Sequence, residues 1–251
     1  MKKNVSLLFV MALLLCAMPL SAISVAAANS GTTGDCTWTL DGTHLTISGN
    51  GAMGNYSYSS YGTTAPWGSN ITSVTIPDGM EVAEGVFSEC SKLTTVTVGD
   101  NVILGKYAFG MDKDSIFKVA HYDKDGERYF YYTFASALKN VTIGDNVTIG
   151  ETAFTNAASL KKVTLGKGAK LGKMAFYNNA SLVDIDLSAV KSIGDYALSG
   201  DVYYMCLDDQ MSVAAVDNTG HYMYTYHAPR IPSATLTAAT VIGEYALAYC
   251  R

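Results

Sequence analysis

One phrase governs this chain. LTTVTVGDNVILGKYAF (Leu93 to Phe109) returns as LKNVTIGDNVTIGETAF (Leu138 to Phe154) and again, 22 residues further on, as LKKVTLGKGAKLGKMAF (Leu160 to Phe176). Looser copies run from Ile71 to Phe87, Leu182 to Leu198 and Ile231 to Leu247, so the sequence predicts about six turns of 22 residues. A unit this short cannot bury its own apolar face. Equal units must stack, and the fold class that follows is a mainly β solenoid.

The turn that begins at Leu93 shows how each unit works. Leu93, Val96 and Val98 point inward while Thr95 and Thr97 alternate outward, the pattern of a half-buried strand. Gly99, Asp100 and Asn101 then turn the chain, as do Gly144, Asp145 and Asn146, and Pro77, Asp78 and Gly79. A second short extended stretch buries Val102 and Leu104. Gly105 follows, matched by Gly150, Gly172, Gly194 and Gly243, where the backbone needs positive φ or a close neighbour. Ala108 with Phe109 recurs as Ala153 with Phe154 and Ala175 with Phe176, relaxing to Leu198 and Leu247. An aromatic spine should run up the core, each ring burying on the order of 150 to 250 Å².

The turns resemble the leucine-rich repeats of bacterial BspA-like surface proteins, whose pattern is approximately Leu-x-x-Val-x-Ile-Pro-x-x-Val-x-x-Ile-Gly-x-x-Ala-Phe-x-x-Cys. ITSVTIPDG at Ile71 and SIGDYAL at Ser192 are close to it, and TWTLDGTHLTISGNGAMGNY with Pro66 and Trp67 looks like the amino-terminal β-hairpin cap of such proteins. The resemblance implies a leucine-rich-repeat solenoid with short helical or turn segments. It departs from the pattern at the Cys after Phe, present only as Cys90 and Cys250. Asn101 and Asn146 also give way to Gly79, Gly168, Val190 and Ala239 at their position.

Lys2 and Lys3, an apolar run from Val5 to Leu15 and the small residues Ala26, Ala27 and Ala28 read as a secretory signal peptide. That run is shorter than the roughly 20 residues a span needs, and no membrane span is expected after cleavage. Leu15 before Cys16 argues against a lipobox. The expected organisation is a signal peptide over 1–28, a cap over 29–70 and the repeat array over 71–251, with insertions at 110–137 and 199–230. The array stops in mid-turn at Cys250 and Arg251, so the natural protein is expected to continue.

The formal charge of −5 becomes −7 without Lys2 and Lys3, which argues against nucleic acid. Cys90 and Cys250 share one phase five steps apart, about 24 Å at the strand spacing, beyond the roughly 7 Å reach of a disulfide. The cysteines therefore read as small buried hydrophobes. Gly49, Gly51 and Gly54 form a GxGxxG, but NYSYSSYGTTAPWG follows where a helix would have to open. DKDG at Asp123 lacks the ligand set of a calcium hand, and His221 and His227 are too far apart for a two-ligand strand pair. Asp184 and Asp186 share an exposed face about 7 Å apart, yet open solvent gives little means of raising one carboxyl for glycosidase chemistry. No catalytic residue, metal ligand or cofactor is assigned, and an enzyme is not expected.

Two insertions break the period, lengthening the steps from Leu93 to Leu138 and from Leu182 to Ile231 by 23 and 27 residues. VAHYDKDGERYFYYTF, from Val119, aligns with VAAVDNTGHYMYTYH, from Val213, and each reads as an inserted β-hairpin with a Tyr-rich return strand. Tyr129 and Tyr131 share one face, as do Tyr222, Tyr224 and Tyr226. Both insertions leave in one phase three turns apart, roughly 14 Å along the axis. Tyrosine offers large area and a polar tip at low entropy cost, so these five are candidate ligand-binding residues, with flank packing as the plain alternative. The exposed sheet face, most distinctive from Lys162 to Asp184 and Asp186, is the second candidate surface.

These features predict a secreted or cell-surface protein that binds proteins or glycans without catalysis. The resemblance implies adhesion, with host or neighbouring-cell surface proteins, matrix proteins or glycans as partners. A spacer presenting a further carboxyl-terminal domain, or the non-catalytic part of a secreted enzyme, is the alternative.

Overall fold

The structure is a computed structural model that describes residues 29–56, 58–59, 62–110, 117–122, 128–133, 136–200, 202–204, 224–226, 229–231, 234–238, 240–248 and 250. The segment read as a signal peptide lies outside them. Three antiparallel strands open the fold: β1 (Ser30–Thr33), β2 (Cys36–Asp41) and β3 (His44–Ser48), followed by the short β4 (Gly51–Ala52). A two-residue ribbon, β5 (Tyr58–Ser59) and β6 (Gly62–Thr63), comes next. Gly49 and Gly51 both sit at φ 106, turning the chain into β4. The GxGxxG is thus a turn of the cap.

Each of the first five repeats then contributes one strand to each of two sheets, and among the described residues the sixth contributes to the second alone. The pairs are β7 (Ser73–Ile76) with β8 (Met80–Val82), and β9 (Thr95–Val98) with β10 (Ile103–Leu104). After an inserted ribbon of β11 (Phe117–Tyr122) and β12 (Arg128–Thr133) come β13 (Asn140–Ile143) with β14 (Thr148–Ile149), and β15 (Lys162–Leu165) with β16 (Lys170–Leu171). The last are β17 (Asp184–Ile185) with β18 (Ser192–Ile193), a second ribbon of β19 (Val202–Tyr204) and β20 (Tyr224–Tyr226), and β21 (Val241–Ile242).

The first sheet has eight strands in the order β1-β2-β3-β7-β9-β13-β15-β17, and the second has seven in the order β21-β18-β16-β14-β10-β8-β4. Neighbouring turns pair in parallel with no slip: Val74 faces Val96, Val141, Val163 and then Ile185. β3 pairs in parallel with β7, so the cap continues the first sheet. The sixth turn differs from its expected form. Its residues 234–238 form no strand and Thr235 lies exposed outside the first sheet, while Ser233 is outside the described residues. No helix occurs among the described residues, and the stretch from each repeat glycine through Ala-Phe is a run of turns.

The aromatic spine is continuous. Phe87, Phe109, Phe154 and Phe176 stack with centroids 4.9, 5.1 and 5.1 Å apart and planes within 9° of parallel. Trp67 closes the lower end on Phe87 at 5.7 Å, and Leu198 continues the core at the upper end. The repeat glycines owe their place to crowding rather than to φ: a Cβ on Gly105 would lie 2.6 Å from the Val82 carbonyl oxygen of the turn below. Left-handed backbone falls elsewhere, at Gly79, Asn101, Asn146 and Gly168, with φ from 56 to 72. Glycine and asparagine alternate there because both adopt that region at little cost.

Candidate functional site

The outward face of the first sheet is built by strand alternation. In one row His44, Ser73, Thr95, Asn140, Lys162 and Asp184 stand in register, and in the next Thr46, Thr75, Thr97, Thr142 and Thr164. His44 Nδ1 and the Ser73 hydroxyl lie 2.7 Å apart, and the lower part of this face is hydroxyl-rich. The expected charged patch does form, in a particular way. Lys162 Nζ lies 2.8 Å from Asp184 Oδ2, both side chains exposed, whereas Asp186 Oδ1 accepts a bond from the Ser188 backbone N–H at 2.8 Å. That bond holds the Asp186 carboxyl below its ordinary range. Asp184 and Asp186 therefore do different work, one balancing a lysine and one closing a turn.

The Tyr-rich insertions leave from the other boundary of this sheet. Phe109 and Gly110 end one turn before the first, and the chain returns at Ser136 and Ala137 into Leu138. Leu198 precedes the second, and the chain returns at Pro229 and Arg230 into Ile231. The first ribbon is an antiparallel hairpin in which Tyr129 faces His121 and Tyr131 faces Val119. In the second, Tyr224 pairs with Tyr204 and Tyr226 with Val202, so the return strand pairs with residues just beyond the fifth turn, and the stretch from Val213 lies outside the described residues. The aligned turns at Asp123 and Asp217, and Tyr222, His221 and His227, lie outside the described residues.

Sequence patterning alone does not single out the row that borders this edge. It runs Thr43, Thr72, Thr94, Lys139, Lys161 and Val183, each backbone N–H from Thr72 onward bonded to the carbonyl of the residue before it in the row at 2.8 to 3.2 Å. The Arg230 N–H bonds to the Leu182 carbonyl at 2.8 Å, which places Arg230 two residues ahead of the row position of its own turn. Its residues are variable from turn to turn, so no repeat pattern points to them.

Cys36, Cys90 and Cys250 are free thiols, and Cys206 lies outside the described residues. Burial pushes the Cys90 thiol up to about 12 and that of Cys250 to about 11, leaving them protonated and inert near neutrality. Among the described residues no group of three His, Cys, Asp or Glu side chains could hold a metal ion. No helix among them is long and apolar enough to cross a membrane.

No curated protein matches the chain. A solved leucine-rich repeat protein from Eubacterium ventriosum ATCC 27560 is similar at 15% identity, over 68% of this chain and 88% of that one, with a TM-score of 0.24. The family model for the BspA type leucine rich repeat region matches in six copies over residues 54–122 and 123–251. The match covers most of the chain, which therefore belongs to the BspA type leucine-rich-repeat family.

Proposed function

We propose that this protein is a secreted or cell-surface recognition module that binds proteins or glycans in adhesion and carries out no catalysis. The family is generally one of protein interaction, and a rigid stack of turns offers a long surface with little cost of ordering on binding. The observation that carries the reading is the placement of the two insertions, which return to the repeat array at the same phase, at Leu138 and Ile231. Between them stand the entries of β13, β15 and β17, so a ligand would lie along the edge flanked by both ribbons. Tyr129, Tyr131, Tyr222, Tyr224 and Tyr226 are the proposed contacts, with Lys162, Asp184 and Asp186 on the adjoining face.

Replacing the five tyrosines with serine tests the reading. Adhesion to cells, matrix proteins or glycans should be abolished with the melting temperature nearly unchanged, since interface aromatics commonly carry about 2 kcal/mol or more each. A collapse in stability would assign the rings to packing on the flank instead.

A further inference from the structure

We propose that Asn50 is a site of self-modification, losing its side-chain amide through a cyclic imide to give an isoaspartyl residue that loosens the cap from the second sheet. The reaction needs no ligand and no enzyme, so it stands apart from the recognition role.

The sequence singles out one position. Asn50 is the only asparagine in the chain that glycine follows. The nucleophile in this chemistry is the backbone nitrogen of the next residue, and a Cβ on that residue crowds its approach to the asparagine Cγ. Branching at Cβ crowds it further. Asn101, Asn140 and Asn146 are followed by valine and Asn70 by isoleucine, whereas Gly51 brings no side chain at all.

Local structure leaves Asn50 free to react. It lies exposed in the bend between β3 and β4, and among the described residues its side chain makes no hydrogen bond. Gly49 and Gly51 flank it, both at φ 106, so neither neighbour covers it. Other asparagines are held. Asn179 is fully buried and donates to the Phe154 carbonyl at 3.0 Å, Asn178 donates to Asn156 Oδ1 at 3.1 Å, and Asn70 Oδ1 accepts from Lys92 at 2.9 Å.

In the first step the Gly51 nitrogen gives up its proton and bonds to Asn50 Cγ, while the Cγ–Nδ2 bond breaks and the side-chain nitrogen leaves as ammonia. Water then opens the cyclic imide. Attack at the side-chain carbonyl leaves aspartate, and attack at the main-chain carbonyl leaves isoaspartate, whose main chain runs through Cβ and Cγ. One water enters, one ammonia leaves, and nothing is oxidised or reduced. Because loss of the Gly51 N–H proton starts the sequence, the rate rises with pH.

The extra main-chain carbon falls beside a strand with little hold of its own. β4 has two residues, Gly51 opposite Met80 and Ala52 opposite Glu81. The Ala52 carbonyl accepts the Asp35 N–H at 2.9 Å, and the Met53 N–H donates to the Glu81 carbonyl at 2.9 Å. Asp35 Oδ2 accepts the Ala52 N–H at 3.4 Å and would lie 3.1 Å from a Cβ on Gly51, so a carboxylate already stands over this peptide before a second one forms. β3 keeps its separate pairing with β7, which confines the loss to the edge of the second sheet.

The test follows the intact protein through storage at neutral and at mildly alkaline pH, with peptide mapping by mass spectrometry and labelling by an isoaspartyl methyltransferase. Isoaspartate should build up at Asn50 about tenfold faster than at Asn101, Asn140 or Asn146, and faster at the higher pH. Asn50→Gln, whose longer side chain must close a larger ring, should lose the signal at this position and keep the melting temperature. In modified chains the amides of Asp35 and Met53 should exchange about threefold faster or more, with Val96 and Val98 unchanged. Three results would overturn the proposal: an Asn50 that stays intact in the folded protein while it reacts in the urea-unfolded chain, equal build-up at the asparagines that valine follows, or unchanged exchange at Asp35 and Met53 after modification.

Discussion

At the scale of single residues, position within the repeat decides what a side chain is worth. Phe154 is fully buried between Phe109 and Phe176 at 5.1 Å on each side, whereas Thr142 stands exposed on the sheet face. Phe154→Ala should destabilise by about 3 to 5 kcal/mol and Thr142→Ala by well under 1 kcal/mol, measured by denaturant melts. Cys90 gives a prediction in pH. Its thiol is pushed from an ordinary 9.0 to about 12 in the folded chain, so between these values the unfolded chain has lost a proton that the folded chain keeps. Alkaline titration therefore favours unfolding: stability is whole below pH 9 and declines as pH rises toward 12. Over that window the melting temperature of the wild type should fall more steeply than that of Cys90→Ala.

At the scale of elements, neighbouring turns are fastened by side chains as well as by strand ladders. Asp78 Oδ1 accepts the Asp100 N–H at 2.8 Å, Asp100 Oδ1 accepts the Asp145 N–H at 2.7 Å, and Asp145 Oδ1 accepts the Lys167 N–H at 2.7 Å. Each carboxylate serves the turn that follows it. Asp100→Ala should cost about 1 kcal/mol and raise amide exchange at Asp145 selectively, because the N–H left behind must find water. The recurrence of Asp in a turn was visible in the sequence, but its partner was not, since turn chemistry is read within four residues and this bond crosses a whole repeat. Strand pairs, the pitch of 22 residues and the Phe spine were legible because apolar alternation reports burial directly. The left-handed backbone at Tyr107, Thr152, Met174, Tyr196 and Tyr245 was not, for these are residues that seldom adopt it. Nor was the pairing of Tyr224–Tyr226 with Val202–Tyr204, since aligning the two insertions pointed instead to a hairpin with the stretch from Val213.

For the whole molecule, stacking in register makes stability a sum over neighbouring turns, so the insertions should contribute little to it. Val96 and Val98 face Val141 and Ile143 directly, although 23 extra residues lie between those turns. Replacing residues 110–137 with the sequence of 155–159 restores the period, and the shortened protein should melt cooperatively within a few degrees of the parent by circular dichroism. Its failure to fold would mean that the first ribbon supports the array. The chain should also bind neither nicotinamide nucleotides nor DNA by calorimetry, given the cap turn at Gly49 and Gly51 and the acidic balance. The edge that takes the insertions has one more consequence. Turns three and four close through Ala158 and Ser159, and through Ala180 and Ser181, half-exposed links in the phase where both natural ribbons depart. These are vacant sockets: foreign loops spliced there would project beside the native pair, so the scaffold can gain new specificities by loop grafting while the stack beneath keeps its register.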